Sequence, residues 1–286
     1  MSNCLWLADI KGKKRNKVGG KALRLAELKK GGFEVPKAFC IVTNVFDQFL
    51  VDNKLIPQLG LLRLDRDKSV LKSICRRIRE EIGQGKIDSQ IRGEVLKNLR
   101  KIETNRFAIR SSANCEDLQL SSFAGQFESY LDILTDQVFV AIRKCWVSVF
   151  SRRVLTYTLF HEIELRKIKM AVLVQEMIKS DKGGVLFTKN ILDGNIDKMV
   201  IEATKGLVDD VVLGLVEPER VVVNKKSKEV ESWEMPNGKV LSQKEVKRLM
   251  KIAMEVEDFY QGVPQDIEWV MRKGKIYLLQ SRPITA

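Results

Sequence analysis

With 286 residues, 44% hydrophobic and 30% charged, the chain is long enough for one large domain or two packed lobes and has the balance of a globular protein. No apolar run reaches the roughly 20 residues of a membrane span, and the first ten residues lack the basic leader and apolar core of a signal peptide. The five cysteines (Cys4, Cys40, Cys75, Cys115, Cys145) form no CxxC pair, which argues against a zinc site or disulfide framework and for a reducing cytoplasm. The net charge of +13 invites a nucleic-acid reading, but the excess is uneven: Lys11 to Lys30 holds nine Lys/Arg against one Glu. Aromatics are only 7% and do not interleave with the basic residues, so a solvated or anion-attracting face is favoured over a nucleic-acid surface.

In chain order, "GGKALRLAELKKGGF" predicts a helix from about Lys21 to Lys30, stopped by Gly31-Gly32. "VPKAFCIVT" predicts a strand that Pro36 keeps out of a helix. Helical spacing runs from Val45 to about Lys54 and from Ser69 to Lys101, interrupted near Gly83-Gln84-Gly85. "RFAIR" and "SYLDIL" read as strands, and Gln137 to about His161 as one amphipathic helix or a pair. After that the pattern changes. "MAVLVQEMI", "GGVLFT", "MVIEAT", "RVVVN", "EVESWEM", "DIEWVM" and "KIYLLQSR" read as strands, with one helix from Ser242 to Tyr260 among them. A helix-rich lobe over residues 1–178 and a strand-rich lobe over residues 179–286 are expected, sharing a cleft.

Three stretches carry chemistry. Gly19-Gly20-Lys21 opens a helix, where close backbone approach, the helix terminus and a lysine suit a phosphate; the plainer reading is a turn before a surface lysine. Arg110 ends an apolar strand and is followed by small residues through Ser121-Ser122-Phe123-Ala124-Gly125-Gln126, a segment able to fold over phosphates. A structural pairing of Arg110 with Glu116 or Asp117 stands beside that reading. In "DIEWVMRKGKIYLLQSR", a three-residue Arg272-Lys273-Gly274 loop sets Glu268 opposite Leu278 and Asp266 opposite Gln280. Even-numbered residues then share a face, so Asp266, Glu268, Gln280 and Arg282 gather at one end. An acid beside an amide carbonyl suits Mg²⁺, and the arginine a phosphate; a solvated sheet face is the alternative. Glu202 lies just beyond an apolar strand, and Gln175-Glu176-Met177 offers a strand edge to an adenine. His161 reads as structural or exposed, and Cys115 has no histidine near it in sequence to activate it.

Five stretches in order, "VGGKALRLAELKKGGFEVPKAFCIVT", "AIRSSANCEDLQLSSFAGQFESYL", "GGVLFTKN", "VIEATKGL" and "PQDIEWVMRKGKIYLLQSRPIT", resemble one family. It is the N-terminal ATP-binding domain of phosphoenolpyruvate synthase, pyruvate phosphate dikinase and rifampin phosphotransferase, and the resemblance covers about residues 10 to 285. It implies an α+β, ATP-grasp fold with the nucleotide cleft between the two lobes. It implies that Lys21, Arg110 and Arg282 contact phosphates, that Gly125 and Gln126 lie in a phosphate-covering loop, and that Gln175, Glu176 and Met177 hold adenine. Glu202 matches an acid near the nucleotide, and Glu268 and Gln280 match Mg²⁺ ligands. The implied activity is dikinase-type: ATP is cleaved toward AMP and phosphate through a histidine on a separate domain, which no part of this chain resembles. "GLVDD" stands where "GLGE" is usual, and "FTKNI" where "FTADP" is common. A non-catalytic ATP-binding regulatory module is the alternative, and a nucleic-acid binder the third.

Overall fold

Strand alternation and helical spacing sort the chain into two units, each built on one antiparallel sheet. The computed structural model describes residues 2–12, 14–64, 67–116, 123, 125–206, 214 and 216–284. Met1–Ala26 and Lys37–Met177 form the first unit, Glu27–Pro36 and Ile178–Ala286 the second. The fold class is α+β.

The first unit holds β1 (Cys4–Trp6), β2 (Ala38–Ile41), β3 (Arg106–Ala113), β4 (Ser129–Leu134) and β5 (Met170–Glu176), in the order β1-β2-β5-β3-β4. Its helices are α1 (Arg15–Lys30, whose last turn belongs to the second unit), α2 (Thr43–Asp52), α3 (Ile56–Leu64), α4 (Lys68–Gln84), α5 (Ser89–Leu99), α6 (Val138–Ser148) and α7 (Arg152–Phe160). Helix α2 packs on β5 and α6 on β3 and β4. Phe46 and Phe49 of α2 meet Trp146 of α6 at ring separations of 5.8 and 4.7 Å. Asp67 and Asp88 start α4 and α5 by accepting backbone N–H groups, a cap worth about 1 kcal/mol each.

Two differences from the sequence reading have local causes, and one alternative it left open is decided. A further helical turn from Arg15 precedes the expected helix; Gly19 (φ 75°, ψ 177°) kinks α1 between the two, and the part beyond it runs to Lys30 as expected. Helix α3 was not expected, because its moderately apolar nine residues lack a distinctive period. Residues 137–161 form a helix pair, since Ser151 leaves helical geometry and its hydroxyl accepts the Val154 N–H at 3.2 Å to start α7.

The second unit holds β6 (Lys182–Phe187), β7 (Lys198–Lys205), β8 (Glu219–Asn224), β9 (Val230–Glu234), β10 (Gln265–Arg272) and β11 (Lys275–Pro283), ordered β11-β10-β6-β7-β8-β9. Helix α8 (Gln243–Phe259) packs against β7 and β10, and a reciprocal Ser242–Glu245 capping box starts it. Gly184 of β6 lies opposite Trp269 and Ala203, where a Cβ would come within 1.8 Å of the Glu202 carbonyl oxygen. Here glycine is required by strand approach, not by a turn. No helix among the described residues is long and apolar enough to cross a membrane.

Candidate functional site

In the first unit Arg110 and Gln175 share one face of the sheet. Ser112, Arg110 and Ala108 alternate along β3, and Gln175 of β5 lies opposite Ala108. Helix α1 lies against this face: the Ser112 hydroxyl donates to the Val18 carbonyl (2.8 Å) and accepts the Ala22 N–H (3.0 Å). A Cβ on Gly19 would stand 2.0 Å from the Ser112 carbonyl oxygen, so this glycine serves the seating of α1 on β3. One N–H of the turn beyond Gly19, that of Ala22, is thus spent on Ser112 and not on a phosphate. The Lys21 ammonium donates to the carboxylate of Glu116, which is buried to 5% side-chain exposure, while Arg15 donates to the Glu116 carbonyl. Glu116 therefore pairs with Lys21, a partner the sequence reading did not assign to it. Arg110 is itself buried at 5% exposure.

The strand-edge expectation at Gln175 to Met177 is not met. Strand β5 lies in the middle of its sheet, and the N–H groups of Glu176 and Met177 donate to the Lys37 (2.8 Å) and Arg106 (3.1 Å) carbonyls. What remains is the Gln175 side chain, 1% exposed, whose amide nitrogen has no hydrogen-bond partner among the described residues. Gly125 (φ 69°) and Gln126 are placed by α7: Arg153 donates to the Gly125 carbonyl at 2.7 Å, and Phe123 packs on Tyr157 at 4.6 Å. Ser121, Ser122 and Ala124 of the expected phosphate-covering segment lie outside the described residues, as do Asp117, the alternative partner of Arg110, and the "LVDD" of 207–210.

In the second unit the hairpin of β10 and β11 corrects the expected register. Its turn has two residues, Lys273 (φ 49°) and Gly274 (φ 74°), not three. Near the turn Val270 therefore faces Tyr277 and Trp269 faces Leu278. That shift of one would send Glu268 and Gln280 to opposite faces. A bulge between Glu268 and Trp269 reverses it, and Glu268 lies directly opposite Gln280, with Asp266 opposite Arg282. The expected foursome is gathered, by a route different from the one expected.

Pairing registers extend this into a row across the whole sheet: Gln280, Glu268, Val185, Glu202, Arg220 and Glu234. Glu202 is within β7, not beyond its end, and takes two hydrogen bonds from Arg220 at 3.0 and 2.8 Å. Arg220 was missed in the sequence, because the long connection from β7 to β8 hides the register. The same face carries a small apolar floor of Ile178, Val185 and Val270, flanked by Phe187, Tyr277 and Leu279. Arg282 holds one Asp266 oxygen with two nitrogens, at 2.7 and 2.6 Å. Burial pushes the Asp266 carboxyl above its ordinary range, Glu268 and Glu202 add to the push, and Arg282 opposes it.

The family described as pyruvate phosphate dikinase, AMP/ATP-binding domain matches residues 15–240 and 225–286. The chain belongs to this family. A probable phosphoenolpyruvate synthase of Archaeoglobus fulgidus is 36% identical over 98% of this chain and 41% of its own length. A probable phosphoenolpyruvate synthase of Methanocaldococcus jannaschii is 33% identical over 98% of this chain and 26% of its own length. A rifampicin phosphotransferase of Bacillus subtilis is 31% identical over 98% of this chain and 36% of its own length. The chain thus spans less than half the length of these relatives.

For a pyruvate phosphate dikinase AMP/ATP-binding domain, the donor set of the hairpin fits a hard divalent ion. The Gln280 carbonyl oxygen is buried with no hydrogen-bond partner among the described residues, directly opposite the Glu268 carboxylate. Among the described residues no three Asp, Glu, His or Cys side chains converge on a metal position. An ion held by Glu268 and Gln280 would therefore complete its shell with water and ligand oxygens, the usual habit of Mg²⁺.

The cysteines are not poised as nucleophiles. All five are buried; burial pushes Cys4 and Cys115 up to about 12 and Cys75 up to about 11, and raises Cys40 and Cys145 as well. A chromogenic disulfide reagent at pH 8 will find less than about one reactive thiol in the folded chain over minutes, and the full set in denaturant. Rapid labelling of Cys115 without denaturant would contradict this.

Proposed function

We propose that the chain binds ATP with Mg²⁺ and acts as the nucleotide-binding part of a dikinase-type phosphotransferase of the ATP-grasp class. The observation that carries this reading is the paired Glu268 and Gln280, with Arg282 aligned by Asp266 in the adjoining row. Glu268 and Gln280 would hold the ion, which when bound would neutralise phosphate charge. Lys21, Arg110 and Arg282 supply fixed positive charge to the phosphates, so catalysis is positioning and electrostatic stabilisation. Lys21 exchanges Glu116 for phosphate oxygens when ATP arrives. The unspent amide nitrogen of Gln175 donates to an acceptor nitrogen of adenine, and Glu176 and Met177 shape the rest of that position. Gly125 and Gln126 cover the phosphates, and Glu202, held by Arg220, stands near the nucleotide.

The phosphoryl acceptor in this reading is a histidine on a separate domain, with ATP cleaved toward AMP and phosphate. The one histidine of this chain, His161, is exposed at the C-terminal cap of α7, with its ring 4.2 Å from that of Tyr157. The test is to incubate the chain with ATP·Mg²⁺, with and without a phosphohistidine domain cut from a phosphoenolpyruvate synthase relative, and measure AMP. AMP is expected only when the domain is present. Firm ATP binding with no AMP from any such domain would favour the non-catalytic nucleotide-binding module instead.

A further inference from the structure

A second basic feature lies on the first unit, among residues that the nucleotide reading does not use. A cleft of about 430 Å³ is lined by Ser69, Lys72, Ser73, Arg76 and Arg79 of α4 and Arg152 of α7. No carboxylate is among its described lining residues. Positions 72, 76 and 79 form a single stripe of α4, so three like charges are stacked one turn apart, an arrangement that weakens a helix unless an anion meets it. The contrast with the neighbouring position is informative: Arg77 is paired with Glu81 at 2.9 Å. Among the described residues, Lys72, Arg76 and Arg152 stand in no ion pair. Glu80, next to Arg79 and four residues after Arg76, stands in no ion pair among the described residues, and Asp67 is engaged in capping α4: it accepts the N–H groups of Ser69 and Val70 at 2.7 and 3.2 Å and the Ser69 hydroxyl at 2.7 Å.

The cleft is also partly preorganised. Arg79 donates to the Phe150 carbonyl at 2.7 Å, which fixes its guanidinium, and buried Cys75 and Leu155 give an apolar floor. Over such a floor, charge-assisted hydrogen bonds from guanidinium and ammonium groups are stronger than in open water. The volume is that of a small-molecule site, not of a groove for a folded partner. We propose that this cleft binds a small ligand carrying two or more phosphate groups, at residues separate from the candidate nucleotide set.

The test is calorimetric titration of inorganic pyrophosphate, without divalent metal, into the full chain. Wild type, Arg76→Gln/Arg152→Gln, Arg77→Gln and Lys21→Gln are compared, with a short oligouridine as a second titrant. Arg76 and Arg152 are exposed, so their replacement leaves the fold intact, and the unfolding midpoint of each variant checks this. Pyrophosphate binding about ten-fold or more weaker in the double variant, and unchanged in Arg77→Gln, is the expected result. If the double variant does not fold, Arg152→Gln alone should still weaken binding several-fold. Equal affinity in wild type and double variant, loss in Lys21→Gln instead, or binding of oligouridine but not pyrophosphate would each overturn the proposal.

Discussion

Saturating ATP·Mg²⁺ will raise the unfolding midpoint of the wild-type chain, and Glu268→Ala will remove most of that rise. Ligand at about 100 times its dissociation constant stabilises the state it binds by roughly 2.7 kcal/mol. If loss of the carboxylate weakens binding about 100-fold, the same concentration leaves roughly 0.4 kcal/mol. The expectation rests on Glu268 lying directly opposite Gln280, whose carbonyl oxygen is buried and unspent among the described residues. Two controls separate binding from folding. ATP without Mg²⁺ should shift the wild type far less, and Glu268→Gln, which keeps the shape of the side chain, should fold normally yet lose the metal-dependent part. A Glu268→Ala chain that shifts as far as wild type would show that the hairpin does not hold the ion.

Gly19→Ala is expected to cost about 3 kcal/mol of stability in denaturant titration, far more than the same change at Gly12. Both glycines have positive φ, 75° and 69°, and a left-handed residue with a Cβ costs about 1 kcal/mol. At Gly12 nothing lies within 4 Å of the added atom. At Gly19 the ψ of 177° puts the residue in a region that is essentially glycine-only. The new Cβ would also stand 2.0 Å from the Ser112 carbonyl oxygen, and a backbone atom cannot move aside as a flexible side chain can. Relief requires α1 to lift from β3, which would also displace Lys21, two residues on. Gly19→Ala should therefore weaken ATP binding as well as stability. Equal losses at Gly12 and Gly19 would mean that the contact with Ser112 relaxes freely.

Strand positions were largely legible because their signal is local. "SYLDIL" is β4 in full, and "RVVVN" lies within β8. The capping box of Ser242 and Glu245 could be read directly, since its partners are three residues apart. Helix α3 escaped because its spacing is ambiguous, and Arg220 escaped because a cross-strand partner is invisible until a register is known. The edge position assumed for Gln175 to Met177 failed for the same reason: a strand's neighbours are a property of the sheet, and β5 has one on each side.

The residue types of the candidate site, their order and the family they announce follow from the chain alone, because chemistry and spacing are encoded locally. Their convergence does not. Glu268 and Gln280 share a face only because a bulge cancels the offset of a two-residue turn, and neither feature can be weighed without the packing of β10 between β6 and β11. The pairing of Lys21 with Glu116 likewise joins residues 95 positions apart. Tertiary structure decided these contacts because side-chain period fixes which residues share a face only after the backbone pairing has been chosen.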